Sequence, residues 1–184
     1  MSERIHILGI AGSLRQASYN ASALRAAAEL APEGATLEIF EIDSIPLFCQ
    51  DEERDPPAEV LRLKSHIREA DAILFATPEY NYSVPGVLKN AIDWASRPYG
   101  DNAWSGKPAA IMGASVGALG TARAQYHLRQ MMVFLDMHPI NQPEVMIGSA
   151  SQRFDEHGRL TDPTSRDLIA KLLQKLVDRA RLDG

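Results

Sequence analysis

The stretch Ile5-His6-Ile7-Leu8-Gly9-Ile10-Ala11-Gly12-Ser13-Leu14-Arg15-Gln16-Ala17-Ser18-Tyr19-Asn20 decides the fold. Ile5 to Leu8 reads as a buried strand and Gly9 to Asn20 as a loop. Ala21 to Leu30, rich in alanine and leucine, reads as a helix. A strand, a loop of glycine and hydroxyls and then a helix start make an anion site. The first helical N–H groups lack intrahelical acceptors and carry the positive end of the macrodipole. Ser13, Ser18 and the Arg15 guanidinium add donors suited to a phosphate. The plainer alternative is a strand-to-helix turn capped by serine and asparagine. Arginine with two serines in one loop favours the phosphate.

Two nucleotide motifs are excluded. A Walker loop needs Gly-Lys-Ser/Thr after its glycines, which is missing here. Gly9 and Gly12 give G-x-x-G, not the G-x-G-x-x-G of a dinucleotide fingerprint. A monophosphate wrapped by hydroxyls and backbone amides fits better.

Outward from this stretch, strands alternate with helices, the pattern of a parallel sheet covered on both faces. Ala35 to Ile42 alternates apolar and polar residues, as a half-exposed strand does. Ile45 to Pro57 is an irregular connection, and Pro57 opens a helix whose inner face is read as Val60, Leu61, Lys64, Ile67 and Arg68. Ala70 to Thr77 is a continuous apolar strand. A helix over 85–95, a strand over 108–113, a helix over 120–135 and a short fifth strand over 143–148 follow. Asp162-Pro163 caps a last helix with Leu168, Leu172, Leu176 and Ala180 on one stripe. This order predicts an α/β, flavodoxin-like, doubly wound five-stranded parallel sheet of order 2-1-3-4-5. Residues 1–184 form one domain, with a ligand crevice at the carboxyl ends of strands 1 and 3.

Two further loops would reach that crevice. Thr77-Pro78-Glu79-Tyr80-Asn81-Tyr82-Ser83-Val84-Pro85-Gly86 offers backbone N–H groups for the polar edge of a flat heterocycle and Tyr80 for its surface. Gly113-Ala114-Ser115-Val116-Gly117-Ala118-Leu119-Gly120 is small enough for a planar ligand to approach the backbone. Each alone is ordinary turn chemistry; three at one sheet edge make a binding site.

The bulk numbers narrow the class. With 184 residues, 45% hydrophobic, the chain can bury the core of one domain. A net charge of -5 argues against nucleic acid as a partner. Cys49 is the only cysteine, so no internal disulfide forms and no oxidising compartment is implied. No run approaches a membrane span, and the expectation is a soluble cytoplasmic protein. His6, His66, His127, His138 and His157 lack metal-ligand spacing, so no metal site is expected.

Gly12-Ser13-Leu14-Arg15-x-x-Ser18-x-Asn20 followed by Pro78-Glu79-Tyr80-Asn81-Tyr82-Ser83-x-Pro85-Gly86-x-Leu88-Lys89-Asn90-Ala91-Ile92-Asp93-Trp94 resembles the NADPH-dependent FMN reductase family. Within it the chain is most similar to bacterial quinone and chromate reductases, a likeness echoed by Ala122-Arg123-x-Gln125-Tyr126-His127-Leu128-Arg129-Gln130. The resemblance implies an FMN-dependent NAD(P)H oxidoreductase that reduces quinones and other small acceptors such as chromate; with donor and acceptor sharing one open face of the flavin, the expected course is ping-pong. It implies that Ser13, Arg15, Ser18 and Asn20, with the Leu14 amide, hold the FMN phosphate. Pro78, Glu79, Tyr80 and Asn81 would border the isoalloxazine, with Ser115 and Gly117 on its other flank. It further implies a homotetramer or homodimer with Arg123, Tyr126 and Glu144 at an interface.

No catalytic side chain is needed, because hydride chemistry resides in the flavin. The competing reading is a flavodoxin-type electron carrier without dehydrogenase activity, for which the acidity is modest. Cys49 matches no motif and receives no role.

Overall fold

β1 (Ile5–Ala11) pairs in parallel with β2 (Ala35–Phe40) on one side and β3 (Ala72–Ala76) on the other. β3 in turn pairs with β4 (Pro108–Ala114), so the sheet runs 2-1-3-4 before its last edge. The computed structural model describes residues 4–183.

Alternation along the strands divides the core in two. Ile5, Ile7, Leu74, Met112 and Ala114 face α1 (Tyr19–Glu29) and α5 (Pro163–Asp183). Leu8, Ile10, Ile73, Phe75 and Ile111 face α2 (Ala58–Glu69), α3 (Gly86–Ala95) and α4 (Ala122–Leu135). Both faces being covered, β3 and β4 are buried throughout, as their unbroken apolar sequences require.

Three expectations need correction. First, β1 runs on through Gly9, Ile10 and Ala11, because Ile7 to Ala11 pair with Ala72 to Ala76. A Cβ at Gly9 would meet Leu37 Cδ2 at 3.0 Å, so this glycine serves strand packing and not a loop.

Second, the fifth position of the sheet holds two short strands. β5 (His138–Pro139) pairs with Pro108 and Ala109, and β6 (Val145–Ile147) pairs with Met112 to Ala114. Residues 140–144 detour between them, and Pro139 and Pro143 have no N–H to donate to a ladder. Helix α4 satisfies freed carbonyls: Arg129 Nη2 donates to Ile140 O and Gln125 Nε2 to Val145 O, both at 3.0 Å.

Third, the inner face of α2 is Val60, Leu63, Lys64 and Ile67, while Leu61 and Arg68 point outward. Lys64 is buried because its ammonium donates to Arg97 O and pairs with Asp101.

Register sets the ends level. Ala11 lies beside Ala76, and Gly12 N–H donates to Ala76 O at 2.9 Å. Thr77 N–H then reaches Met112 O, and Ser115 N–H reaches Ile147 O, both at 3.0 Å. The three candidate loops therefore leave the sheet along one edge, at the point where the connections turn to opposite sides.

Candidate active site

Ser18 caps α1: its Oγ accepts from Ala21 N–H at 3.2 Å and keeps its own O–H to donate. Tyr19 and Asn20, read as loop from the sequence, are the first two helical residues, and their N–H groups have no intrahelical acceptor. Asn20 is 3% exposed and grips Ala114 in both directions. Its Nδ2 donates to Ala114 O at 3.0 Å, and its Oδ1 accepts from Ala114 N–H at 2.9 Å. The positive end of α1 is thereby fixed against the end of β4. Ser13 Oγ accepts from Arg15 N–H at 3.4 Å, and the Arg15 side chain is exposed. A Cβ at Gly12 would lie 2.9 Å from Pro85 Cγ, so the bare backbone lets this loop nest against the next one.

Tyr80 and Ser83 exchange backbone hydrogen bonds at 3.1 and 3.0 Å around Asn81 (φ 49°) and Tyr82 (φ 67°). Two left-handed central residues make this a two-residue hairpin of the kind that favours Asn-Gly. A tyrosine in that region costs roughly 1–2 kcal/mol. Neighbours offset the strain: the Arg123 guanidinium lies 3.6 Å over the Tyr82 ring, and Ser83 Oγ meets His127 Nδ1 at 2.9 Å.

Glu79 does something sequence reading missed. Its Oε2 accepts from Arg123 N–H at 3.0 Å and Ala124 N–H at 3.1 Å, and the Arg123 guanidinium pairs with Oε1. Thr121, at the start of α4, makes no capping bond with its side chain, so Glu79 caps that helix from another loop. The Glu79 side chain is 6% exposed. Burial alone would push its pKa up. Hydrogen bonds from Arg123 and Ala124, with the Arg123 charge, outweigh burial and hold the carboxyl below its usual value.

In the third loop Ser115 Oγ accepts from Gly117 N–H at 3.2 Å. Gly113, expected to admit a ligand, belongs to β4. A Cβ there would lie 1.9 Å from Thr121 Oγ1 and 2.4 Å from Thr77 O, so it seats the start of α4. Gly117 is open, with Ser115 Oγ nearest at 3.6 Å from a built Cβ.

Ser13, Arg15, Ser18, Asn20, Pro78, Glu79, Tyr80 and Ser115 line one cleft of about 160 Å³. Tyr19, Ala114 and Val116 complete it; the last two carry no polar signal that a sequence reading could use. Leu14 lies on the adjoining open surface beside Tyr80 and Pro85, while Asn81 and Gly117 do not line the cleft. An exposed guanidinium, two serine hydroxyls and helix-start N–H groups suit a phosphomonoester, and the flat surface from Leu14 to Pro85 suits a ring beyond it.

Other candidates fall outside. Cys49 is exposed, Trp94 is core, and Lys89 pairs with Asp93 one helical turn away at 2.7 Å. Tyr126 O–H donates to Glu144 Oε1 of the same chain at 2.8 Å. Among the described residues no group of His, Cys, Asp or Glu is placed to hold a metal ion, and no helix is long and apolar enough to cross a membrane.

Comparison with known proteins identifies the family. The family model for NADPH-dependent FMN reductase matches residues 5–152. An NAD(P)H-dependent FMN reductase of Pseudomonas aeruginosa is 60% identical over 96% of this chain and 95% of its own. A quinone reductase of Pseudomonas putida is 47% identical over 97% of this chain and 94% of its own. The flavoenzyme NAD(P)H:(acceptor) oxidoreductase of Paracoccus denitrificans superposes with a TM-score of 0.89 at 36% identity, covering 98% of this chain and 99% of that one. These are reductases and not electron carriers, which sets aside the competing reading. The chain belongs to the NADPH-dependent FMN reductase family and is an oxidoreductase that works with FMN and NAD(P)H.

Proposed function

We propose that this chain, as one reductase domain over residues 1–184, oxidises NAD(P)H and reduces quinones in two alternating half-reactions at a single FMN. Chromate is among the other small acceptors it would take. When bound, FMN supplies the two-electron chemistry between donor and acceptor. Ser13, Arg15, Ser18 and Asn20, with the Leu14 N–H, hold its phosphate. Pro78, Glu79, Tyr80 and Asn81 border one edge of the ring, and Ser115 and Gly117 border the other. The observation that carries this reading is the meeting of phosphate donors and the hydrogen-bonded Tyr80–Ser83 hairpin on either side of Gly12.

The open surface beside Leu14, Tyr80 and Pro85 leaves one face for donor and acceptor to share. Both cannot occupy it together, so their binding alternates. The working form is a homotetramer or homodimer in the cytoplasm, with Arg123, Tyr126 and Glu144 at an interface. Exposed Tyr126, Val133 and Phe134 on α4 support an association surface there.

A yellow preparation should bleach anaerobically on adding NADPH or NADH and recover on adding benzoquinone. Double-reciprocal plots against NAD(P)H at several benzoquinone concentrations should be parallel. Intersecting lines would mean separate sites and would overturn the shared face.

A further inference from the structure

Three residues of the second loop rest on one stretch of α4. Glu79 accepts from the Arg123 and Ala124 N–H groups, the Tyr82 ring lies under the Arg123 guanidinium, and Ser83 Oγ stands 2.9 Å from His127 Nδ1. Arg123 and His127 are four apart on the helix and share a face. Ala124, Gln125 and Leu128 of the same turns are buried, so that face is a fixed support. The contact at His127 differs from the other two. Glu79 is occupied as the cap of α4, and Arg123 is divided between the Glu79 carboxylate and the Tyr82 ring. His127 makes one side-chain hydrogen bond among the described residues, the one to Ser83. Either neutral tautomer allows it: the Ser83 O–H donates to a bare Nδ1, or Nδ1–H donates to Oγ.

The hairpin needs such a hold. Its central residues Asn81 and Tyr82 both keep positive φ, in a turn that favours Asn-Gly, and relaxing Tyr82 to negative φ would part Tyr80 from Ser83. Ser83 spends its N–H and C=O on Tyr80, which leaves its hydroxyl to fix the hairpin from outside. Tyr80 lines both the cleft and the open surface beside Leu14 and Pro85, so it would move with the turn. Backbone strain beside a site persists only where the surroundings over-determine it. Here a packed helix supplies that constraint. The plainer alternative is a half-buried helical histidine satisfied by the nearest hydroxyl, which would leave flavin binding untouched.

We infer that His127 is a positioning residue: through the Ser83 hydroxyl it holds the Tyr80–Ser83 hairpin in the shape that sets Tyr80 and Asn81 against the flavin ring. This rests on the placement of the ring proposed above. His127 touches neither flavin nor acceptor on this account. It acts by keeping the closed hairpin populated, and the apparent flavin affinity falls with that population.

The test titrates the flavin-free full-length chain with riboflavin and with FMN, followed by flavin fluorescence. His127→Leu and His127→Asn are matched in size, and only asparagine puts a polar atom where Nδ1 stands. His127→Leu should weaken both flavins by the same factor, about fivefold for one hydrogen bond, because they share the ring and differ in the phosphate. His127→Asn should restore both to within about twofold of wild type. Leucine is the better helix former, so a role confined to holding α4 together would reverse that order. Ser83→Ala, outside the core, should match His127→Leu, and the double variant should be no weaker than either single, as one shared interaction requires. Leucine and asparagine alike, Ser83→Ala without effect, additive losses, or a loss confined to FMN would each overturn the assignment. Tyr80→Ala separates this inference from the reading beneath it. If Tyr80→Ala leaves riboflavin affinity unchanged, the ring does not lie at this hairpin and both fall. If it weakens riboflavin while His127→Leu does not, the ring placement stands and the positioning role fails.

Discussion

At the scale of the residue, Glu79 links the candidate ring loop to the protein's stability. Its carboxylate replaces the missing side-chain cap of α4, and losing such a cap costs about 1–2 kcal/mol. Glu79→Gln should therefore lower the urea midpoint at pH 7. The carboxyl has a lowered pKa in the fold, so its contribution is complete above the ordinary carboxylate range and is lost as pH falls through the lowered value. The gap between wild type and Glu79→Gln should accordingly narrow as pH is taken down from 5 toward 3; a gap constant with pH would contradict the account. The motif placed Glu79 in a loop that does line the cleft. Its carboxylate's partners, Arg123 and Ala124, lie 44 and 45 residues away and are invisible to local spacing. That Arg15 and Ser18 share a cleft was legible because they stand three residues apart in one short loop.

At the scale of the element, the buried amide of Asn20 works as a piece of ladder between α1 and β4. Asn20→Leu keeps the size but strands the Ala114 N–H and carbonyl. With about 1–3 kcal/mol for each buried unpaired group, the variant should lose roughly 2–6 kcal/mol in urea unfolding. It should lose FMN as well, because the start of α1 is no longer held. The order of the central strands was legible because β1, β3 and β4 are unbroken apolar runs between helices. The sheet's last edge was not. Its two short strands each rely on α4 side chains, Gln125 and Arg129, to complete their hydrogen bonding, and no periodicity records that. On α2 the face was read correctly at Lys64 and wrongly at Leu61, where Leu63 is the buried leucine. Lys64 can be buried only because Arg97 O and Asp101 receive its ammonium from another segment.

At the scale of the whole molecule, α4 presents Val133 at 84% and Phe134 at 76% exposure, an apolar surface that a monomer would leave wet. Val133→Glu/Phe134→Glu should shift light scattering to a monomer without unfolding the chain, since neither side chain belongs to the core. Scattering unchanged from wild type would place the assembly surface elsewhere. The cap from Glu79 then acquires a wider meaning. The helix that carries the proposed subunit contact is fastened at its start to the loop proposed to border the flavin, through one carboxylate and one guanidinium. Assembly and cofactor retention are on this account reciprocal: each strengthens the other by the same factor, as linked equilibria must. Diluting the protein until its subunits part would bleed away its yellow colour, and supplying free FMN would draw the subunits back together.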